Sequence, residues 1–152
     1  MSADNQLRFV VEPHANPTPA DQIAAKLANP VFGRVFTDHM VTIRWTEGTG
    51  WHDAKVEARR PFEIDPACAV LHYAQEIFEG MKAYRGEDGK ISLFRPQANA
   101  RRFRESAQRM SMAELPEAVF LEAVEKLVDI DRAWIPGAEG SSLYIRPFMF
   151  AS

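Results

Sequence analysis

Two strand-like segments joined by a glycine-rich turn restrict the fold of this chain more than any other feature. Over residues 77–84 apolar and polar side chains alternate, which is the period of a β-strand with one buried face. The turn Gly86-Glu87-Asp88-Gly89 follows, and residues 91–94 return as a second apolar segment, so the pattern predicts a β-hairpin. Gly80 lies inside the first strand, where glycine costs stability. It therefore indicates a bulge or a close approach to the backbone.

The remaining pattern predicts an α+β fold. Residues 39–45 and the mixed run within 51–62, joined by a turn at 47–50, predict another hairpin. We expect a short helix or turn around residues 73–76. Pro96 and Pro116 predict the starts of two main helices, ending near Met110 and Asp131. Residues 143–150 predict a final, largely buried strand. Several strands, two helices and one strand form an α+β order rather than a regular βαβ order.

The prolines near the start of the chain predict a separate segment. Pro13, Pro17, Pro19 and Pro30 indicate an N-terminal arm over residues 1–30, with helical turns around 20–28. An arm of this kind lies on a neighbour or remains loose. Residues 31–152 form the predicted domain. Because the last predicted strand runs almost to Ser152 without a turn, we expect the domain to be truncated before a further one.

Composition excludes several classes of function. The net charge of −3 offers no basic excess for nucleic acid, and no apolar run approaches membrane-spanning length. Residues 1–19 contain Asp4 and Glu12 and no apolar segment of the kind found in signal peptides. The single cysteine, Cys68, excludes an internal disulfide and is expected to be a small buried residue. The expected location is the cytoplasm.

The helix that starts at Pro96 carries several arginines. They are Arg101, Arg102, Arg104 and Arg109. A solvated basic face is the simpler interpretation of this group. On a helical wheel, however, Arg102 lies at an edge of the apolar face and could reach inward. A guanidinium there would suit a phosphate group, because its planar donors match phosphate oxygens.

Arg146 lies in a predicted strand whose other residues are mostly apolar. A buried arginine needs a partner, which could be a structural glutamate or the carboxylate of a substrate. Tyr144 would share its face of the strand. Core packing is the ordinary expectation for the aromatic residues Tyr73, Phe78 and Tyr84. The histidine spacing predicts no metal site, and no nucleophile, phosphate-loop or dinucleotide motif is present.

Five ordered segments are more specific than these patterns. The first is Leu71-His72-Tyr73-Ala74-Gln75-Glu76-Ile77-Phe78-Glu79-Gly80-Met81-Lys82-Ala83-Tyr84-Arg85-Gly86. The others are Thr37-Asp38-His39-Met40, Gly50-Trp51-His52-Asp53-Ala54, Phe94-Arg95-Pro96 with Asn99 and Arg102, and Tyr144-Ile145-Arg146-Pro147-Phe148. In order and spacing they resemble the branched-chain amino acid aminotransferases, which are fold-type IV enzymes dependent on pyridoxal 5'-phosphate (PLP).

The resemblance implies a fold and an activity. The fold would be the small N-terminal domain of the D-amino acid aminotransferase-like fold, with an antiparallel-rich sheet and two main helices. The activity would be transamination of leucine, isoleucine and valine with 2-oxoglutarate, in amino-acid biosynthesis, by a cytoplasmic homodimer. The partners implied are amino acid and 2-oxo acid substrates, with no nucleic acid and no membrane.

The resemblance also assigns roles to single residues. Arg102 matches the arginine that holds the cofactor phosphate. Phe78 and Tyr144 match residues that line the pocket for the substrate side chain, and Tyr73 matches a tyrosine that reaches the pocket of the neighbouring subunit. Arg146 matches an arginine that meets the distal carboxylate of glutamate or 2-oxoglutarate in part of the family.

Two further points follow from the same resemblance. Gly80 would lie where backbone and ligand come close. The Schiff-base lysine of the family has no match among the lysines here, which are Lys26, Lys55, Lys82, Lys90 and Lys126. The chain therefore has no predicted catalytic residue and is expected to be inactive alone.

Other interpretations remain open at this stage. A D-amino acid aminotransferase, an aminodeoxychorismate lyase and an R-selective amine transaminase belong to the same fold type. The segment Thr37-Asp38-His39-Met40 ahead of the hairpin favours the branched-chain group. A non-catalytic, self-associating domain is the alternative from a different class.

Overall fold

The computed structural model describes residues 7–152. Within them the structure is a small α+β domain. The strands are β1 (Val10–Val11), β2 (His39–Thr46), β3 (Gly50–Ala58), β4 (Glu76–Phe78), β5 (Met81–Arg85), β6 (Ile91–Leu93), β7 (Leu143–Ile145) and β8 (Phe148–Phe150). The helices are α1 (Ala20–Ala28), α2 (Ala69–Tyr73), α3 (Pro96–Arg109) and α4 (Glu117–Ile130), with a 3₁₀ turn at Arg132–Trp134.

The described strands form three small sheets, in the orders β1-β3-β2, β6-β5-β7 and β4-β8. Both predicted hairpins are confirmed: β2 pairs with β3, and β5 pairs with β6, each antiparallel. Among the strands of residues 7–152, the only parallel pair joins β1 to β3. The α+β class is therefore confirmed, with several small sheets in place of one.

Two predicted strands are each divided in the structure. The segment at residues 77–84 becomes β4 and β5, which lie in different sheets and are separated by Glu79 and Gly80. The segment at 143–150 becomes β7 and β8, separated by Arg146 and Pro147. Proline has no N–H to donate to a ladder, so a strand cannot continue through Pro147 as a central strand. The expectation of a largely buried final strand is also wrong, because Phe148 is exposed.

The two main helices are confirmed. Pro96 occupies the first turn of α3, where its missing N–H is not needed. The short helix or turn expected around residues 73–76 is found in part. The helix, α2, lies earlier in the chain and ends at Tyr73, and the turn is made by Ala74, whose left-handed backbone (φ 50°) leads the chain into β4.

The core lies between the two main helices and the β5 sheet. Phe103 of α3 packs against Phe120 of α4, with their ring centroids 5.3 Å apart. Met81 and Ala83 of β5 are buried against this pair of helices, whereas the alternate residues of β5 face outward.

Cys68 is buried, as expected. Among residues 7–152, no helix is long and apolar enough to cross a membrane.

The proline-rich segment packs on the domain wherever it is described. Its helical turns are confirmed as α1. Phe9 is buried, β1 adds to the edge of β3, and the Glu12 backbone N–H donates to the Val56 carbonyl at 2.8 Å. From Leu7 onward, this segment therefore contacts the domain of its own chain. The first six residues of the predicted arm lie outside the described residues.

A buried histidine–aspartate pair joins β2 to the end of α4. The His39 Nδ1 lies 2.6 Å from Asp131 Oδ1, and the His39 backbone N–H donates to Asp131 Oδ2 at 3.1 Å. The His14 backbone N–H donates to His39 Nε2 at 2.9 Å. Since Nε2 must accept that bond, Nδ1 carries the proton and donates to the aspartate.

Candidate functional site

A cleft of about 430 Å³ opens between β5 and the first half of α3. It lies on the side of β5 that carries Lys82 and Tyr84, and it also reaches Met81 at the start of the strand. Its lining residues are Gly80, Met81, Lys82, Tyr84, Phe94, Arg95, Ala98, Asn99, Arg102 and Tyr144. Tyr144 enters from the neighbouring strand β7, where it pairs with Lys82. The lining holds three cationic side chains and no carboxylate, so the cleft favours an anionic ligand.

Arg102 lies along this cleft in a fixed orientation. It donates from Nε to Glu79 Oε1 at 2.9 Å and from Nη2 to Glu79 Oε2 at 2.8 Å. The side chain of Arg102 is still 56% exposed. No described protein group accepts a hydrogen bond from Nη1, so that end of the guanidinium remains able to donate to a ligand. The simpler interpretation, a freely solvated arginine, does not describe this geometry.

Glu79 occupies the break between β4 and β5 and is 9% exposed. Burial opposes its ionisation, but hydrogen bonds from Arg102 and Asn99, together with the charge of Arg102, outweigh burial and lower its pKa. The Asn99 Nδ2 donates to Glu79 Oε2 at 2.8 Å and to the Gly80 carbonyl at 3.1 Å. Asn99 and Arg102 are one helical turn apart on α3, so both reach the same carboxylate.

Gly80 has no side chain because Tyr144 occupies the space beside it. A Cβ built on Gly80 would clash with the Tyr144 hydroxyl and would lie 3.1 Å from Cζ of the same ring. The expectation of a close approach to the backbone at Gly80 is confirmed, with Tyr144 as the group that approaches. This contact positions the tyrosine at the end of the cleft.

Arg146 is not buried, and the glutamate partner considered for it is absent from the described ion pairs. Its guanidinium instead donates from Nη2 to the Tyr144 hydroxyl at 2.8 Å and lies 4.5 Å from the centre of the Phe78 ring. The strand breaks at Pro147, which leaves Arg146 on the surface beside two aromatic rings. Arg146 therefore joins the exposed Phe78 to the half-buried Tyr144 in one surface cluster at the end of the cleft.

Core packing was the wrong expectation for Tyr73 and Phe78. Tyr73 is 81% exposed and Phe78 is 61% exposed. Tyr84 is also exposed and lines the cleft. Of the residues predicted for the site, the structure brings Gly80, Arg102 and Tyr144 to the cleft. It places Arg146 against Tyr144, and Phe78 against Arg146. Tyr73 lies on α2, outside the cleft lining.

Sequence reasoning assigned no site role to several residues found here, among them Phe32, Glu79, Arg95 and Asn99. Phe32 packs edge-on against Tyr144, with ring centroids 5.4 Å apart. Arg95 lines the cleft with a left-handed backbone, φ 48° and ψ 50°, although the residue before a proline is normally extended. Glu79, Arg95 and Asn99 lie in the segments that carry the family resemblance, which was a signal for them. Phe32 had no such signal, and its contact depends on the tertiary fold.

Two other carboxylates share the behaviour of Glu79. For Asp38 and Glu57, burial again opposes ionisation, but hydrogen bonds outweigh it and lower the pKa of each group. The hydrogen-bond donors are Thr18 and Trp134 to Asp38, and Thr42 and Arg60 to Glu57.

No cluster of three histidine, cysteine, aspartate or glutamate residues that could hold a metal ion occurs within residues 7–152.

The free energy of unfolding is expected to decrease in acid. A carboxylate whose pKa is lowered by folding stabilises the folded state above its ordinary pKa, and that stabilisation is lost as the pH falls through the folded pKa. The ordinary values are 4.5 for Glu57 and Glu79 and 3.8 for Asp38. Urea unfolding should therefore show a constant midpoint near neutral pH and a falling midpoint below pH 4.5. A midpoint that rises in this range would contradict the assignment.

No protein-family model matches this chain. Curated proteins do match nearly all of it. A "Probable branched-chain-amino-acid aminotransferase" of Streptomyces coelicolor is 54% identical over 143 residues, covering 93% of this chain and 40% of the relative. A "Branched-chain-amino-acid aminotransferase" of Mycobacterium tuberculosis is 52% identical over 147 residues, covering 96% and 40%.

A relative from a more distant organism has the same kind of name. A "Branched-chain-amino-acid aminotransferase, mitochondrial" of Bos taurus is 37% identical over 151 residues, covering 99% of this chain and 37% of the relative. The chain thus spans about two fifths of the length of the curated relatives that it matches. None of these names favours a D-amino acid aminotransferase or an aminodeoxychorismate lyase.

Proposed function

Because this chain is a homologue of the branched-chain-amino-acid aminotransferases over nearly its whole length, we propose that it forms the part of such an enzyme that holds the cofactor phosphate and lines the substrate pocket. The enzyme would transfer the amino group of leucine, isoleucine or valine to 2-oxoglutarate, with PLP as cofactor. The substrates would be small amino acids and 2-oxo acids.

One observation carries this proposal. Arg102, which the resemblance assigns to the cofactor phosphate, lies on an anion-favouring cleft with Tyr144 at its end and with Nη1 available. The donor set fits a phosphate monoester, because Lys82 and Arg95 add positive charge and the carboxylate of Glu79 is already neutralised by Arg102. When bound, PLP supplies the electron sink for amino transfer.

The surface cluster beside the cleft suits the substrate. Phe78 and the Tyr144 ring would contact an aliphatic side chain, while the Tyr144 hydroxyl and the Arg146 guanidinium would donate to the distal carboxylate of 2-oxoglutarate. The bond between Arg146 and Tyr144 keeps these two donors together. Tyr73, exposed on α2, would reach the pocket of a second subunit in a homodimer. The pocket thus combines apolar walls and cationic donors for two kinds of substrate.

The chain alone is proposed to be inactive. Amino transfer needs a lysine that binds the cofactor and moves the substrate proton. Of the lysines, Lys82 is the one that lines the cleft, and its position on β5 does not match the family's catalytic lysine. In a relative, that lysine would come from the part of the enzyme to which this chain does not align. With excess PLP, the purified chain should form no glutamate from leucine and 2-oxoglutarate.

The proposed function also includes a division of the chain into two parts and a cellular compartment. Residues 1–30 would be the arm and residues 31–152 the small domain of a fold-type IV enzyme, followed in the enzyme by the large domain that anchors PLP. The cytoplasm is the proposed compartment, in agreement with a single buried cysteine. A self-associating domain without catalytic role is the alternative, and nothing at the cleft specifically favours it.

A chimeric enzyme tests the proposed function. In it, this chain replaces the matching region of the Streptomyces coelicolor relative, which shares 54% identity with it. We expect glutamate formation from 2-oxoglutarate with leucine, isoleucine and valine, and no transfer from D-alanine. The unmodified relative is the control. A folded chimera that binds PLP but transfers no branched-chain amino group, or prefers D-alanine, would contradict the proposal.

A further inference from the structure

The carboxylate of Glu79 is fully occupied by side chains that border the cleft. Both of its oxygens accept from Arg102, and Oε2 also accepts from Asn99. The backbone of Glu79 is fixed as well, because its N–H donates to the Pro147 carbonyl at 2.8 Å. That bond ties the break between β4 and β5 to the break between β7 and β8. Glu79 therefore connects the arginine on α3 to the segment that carries Tyr144 and Arg146.

We propose that Glu79, held in place by Asn99, is a positioning residue that presents the Arg102 guanidinium to an anionic group in the cleft. This inference rests on the proposed phosphate site. Glu79 would not touch the ligand; it would act through Arg102 alone. Asn99 would support it from α3, one turn before the arginine.

The geometry favours positioning over a merely structural ion pair. An arginine that is half exposed moves among many rotamers, and a ligand must otherwise meet the entropic cost of holding it still. The two hydrogen bonds to Glu79 already hold the Arg102 side chain in one orientation before a ligand binds. These bonds also take Nε and Nη2, so the donors left for the ligand are mainly those of Nη1.

The charge of Glu79 has a second effect, which opposes phosphate binding. The negative charge of Glu79 would repel a phosphate in the same cleft, so its removal could raise affinity. Arg102 neutralises most of that charge through two direct bonds, and its half-exposed guanidinium leaves the remainder open to screening by solvent and salt. Positioning is not screened by salt. We therefore expect the loss of positioning to exceed the relief of repulsion, and the difference to persist at high ionic strength.

The test compares two single substitutions in the 152-residue chain. The probe is pyridoxine 5'-phosphate, which has no aldehyde and cannot react with lysine; pyridoxine, without phosphate, is the reference ligand. Glu79→Gln is expected to lower the affinity for the phosphate ester about tenfold, since it removes a charge-assisted contact that orients Arg102. The matched control is Glu76→Gln, on the exposed face of β4. It should leave the affinity unchanged.

Nuclear magnetic resonance on the arginine-labelled chain checks that Glu79→Gln releases Arg102, because the Arg102 Nε–Hε signal should then shift. The result that a merely structural role would not give comes from the double substitution: in an Arg102→Lys background, Glu79→Gln should have no further effect on affinity. Equal or higher affinity of the Glu79→Gln chain at high salt would overturn the positioning role. Equal affinity of the wild-type chain for pyridoxine and its phosphate would instead overturn the proposed phosphate site.

Discussion

Replacing Arg102 with glutamine is expected to lower the PLP affinity of the chimeric enzyme about a hundredfold, because two charge-assisted hydrogen bonds to the phosphate are lost. The same substitution leaves the Glu79 carboxylate without its ionic partner, so the cleft would also gain uncompensated negative charge. Both effects act in the same direction. The measurement is the recovery of activity as PLP is titrated into the apoenzyme.

The neighbouring arginine provides the matched control for this prediction. Arg101 lies on the same helix and is exposed, but it does not line the cleft. Arg101→Gln removes the same charge one residue away and is expected to change PLP affinity by less than about threefold, through screened long-range electrostatics only. If the two variants lose affinity equally, the phosphate site is not at Arg102, and general charge explains the effect.

Replacing Asp131 with alanine is expected to destabilise the chain by about 3 to 5 kcal/mol, since it removes a buried, hydrogen-bonded charge. Two donors of His39, the backbone N–H and the ring Nδ1–H, would lose their acceptor in a region where both side chains are buried. The segment around His14 would be affected next, because its N–H depends on the orientation of the His39 ring. Urea unfolding at neutral pH measures the change.

The control for this second prediction is Asp129→Ala. Asp129 lies in the same last turn of α4 and is exposed, so its removal should change the free energy of unfolding by less than about 0.5 kcal/mol. A loss below about 1 kcal/mol for Asp131→Ala would show that the buried pair does not stabilise the fold as argued.

The local parts of the fold could be predicted from the sequence. Alternation over residues 77–84 and the turn after it specified the β5–β6 hairpin, and Pro96 marked the start of α3. These signals act between residues close in the chain. The division of two strands into separate sheets depends on which distant strand each half meets, as in the pairing of β4 with β8. Gly80 indicated a bulge in the first of these strands, whereas the strand predicted over residues 143–150 ran through Pro147 without a break. Neither residue indicated the partner strands.

The site could be predicted less completely. The resemblance selected Arg102, Gly80 and Tyr144, which the structure places along one cleft. Periodicity placed Arg102 only at the edge of an apolar face. Its ion pair with Glu79 joins residues 23 positions apart, on elements whose relative placement the sequence pattern does not specify. Arg146 was expected to be buried because its neighbours are apolar, but the chain break after it leaves it on the surface.

The most direct test of the account is a titration of the arginine-labelled chain with pyridoxine 5'-phosphate, followed through the guanidinium signals of its arginines. We expect the Arg102 signals to shift to saturation while those of Arg101 and Arg109 do not, and we expect pyridoxine without phosphate to leave the Arg102 signals unchanged. A uniform response of all arginines, or no response of Arg102, would contradict the claim that this cleft binds the cofactor phosphate.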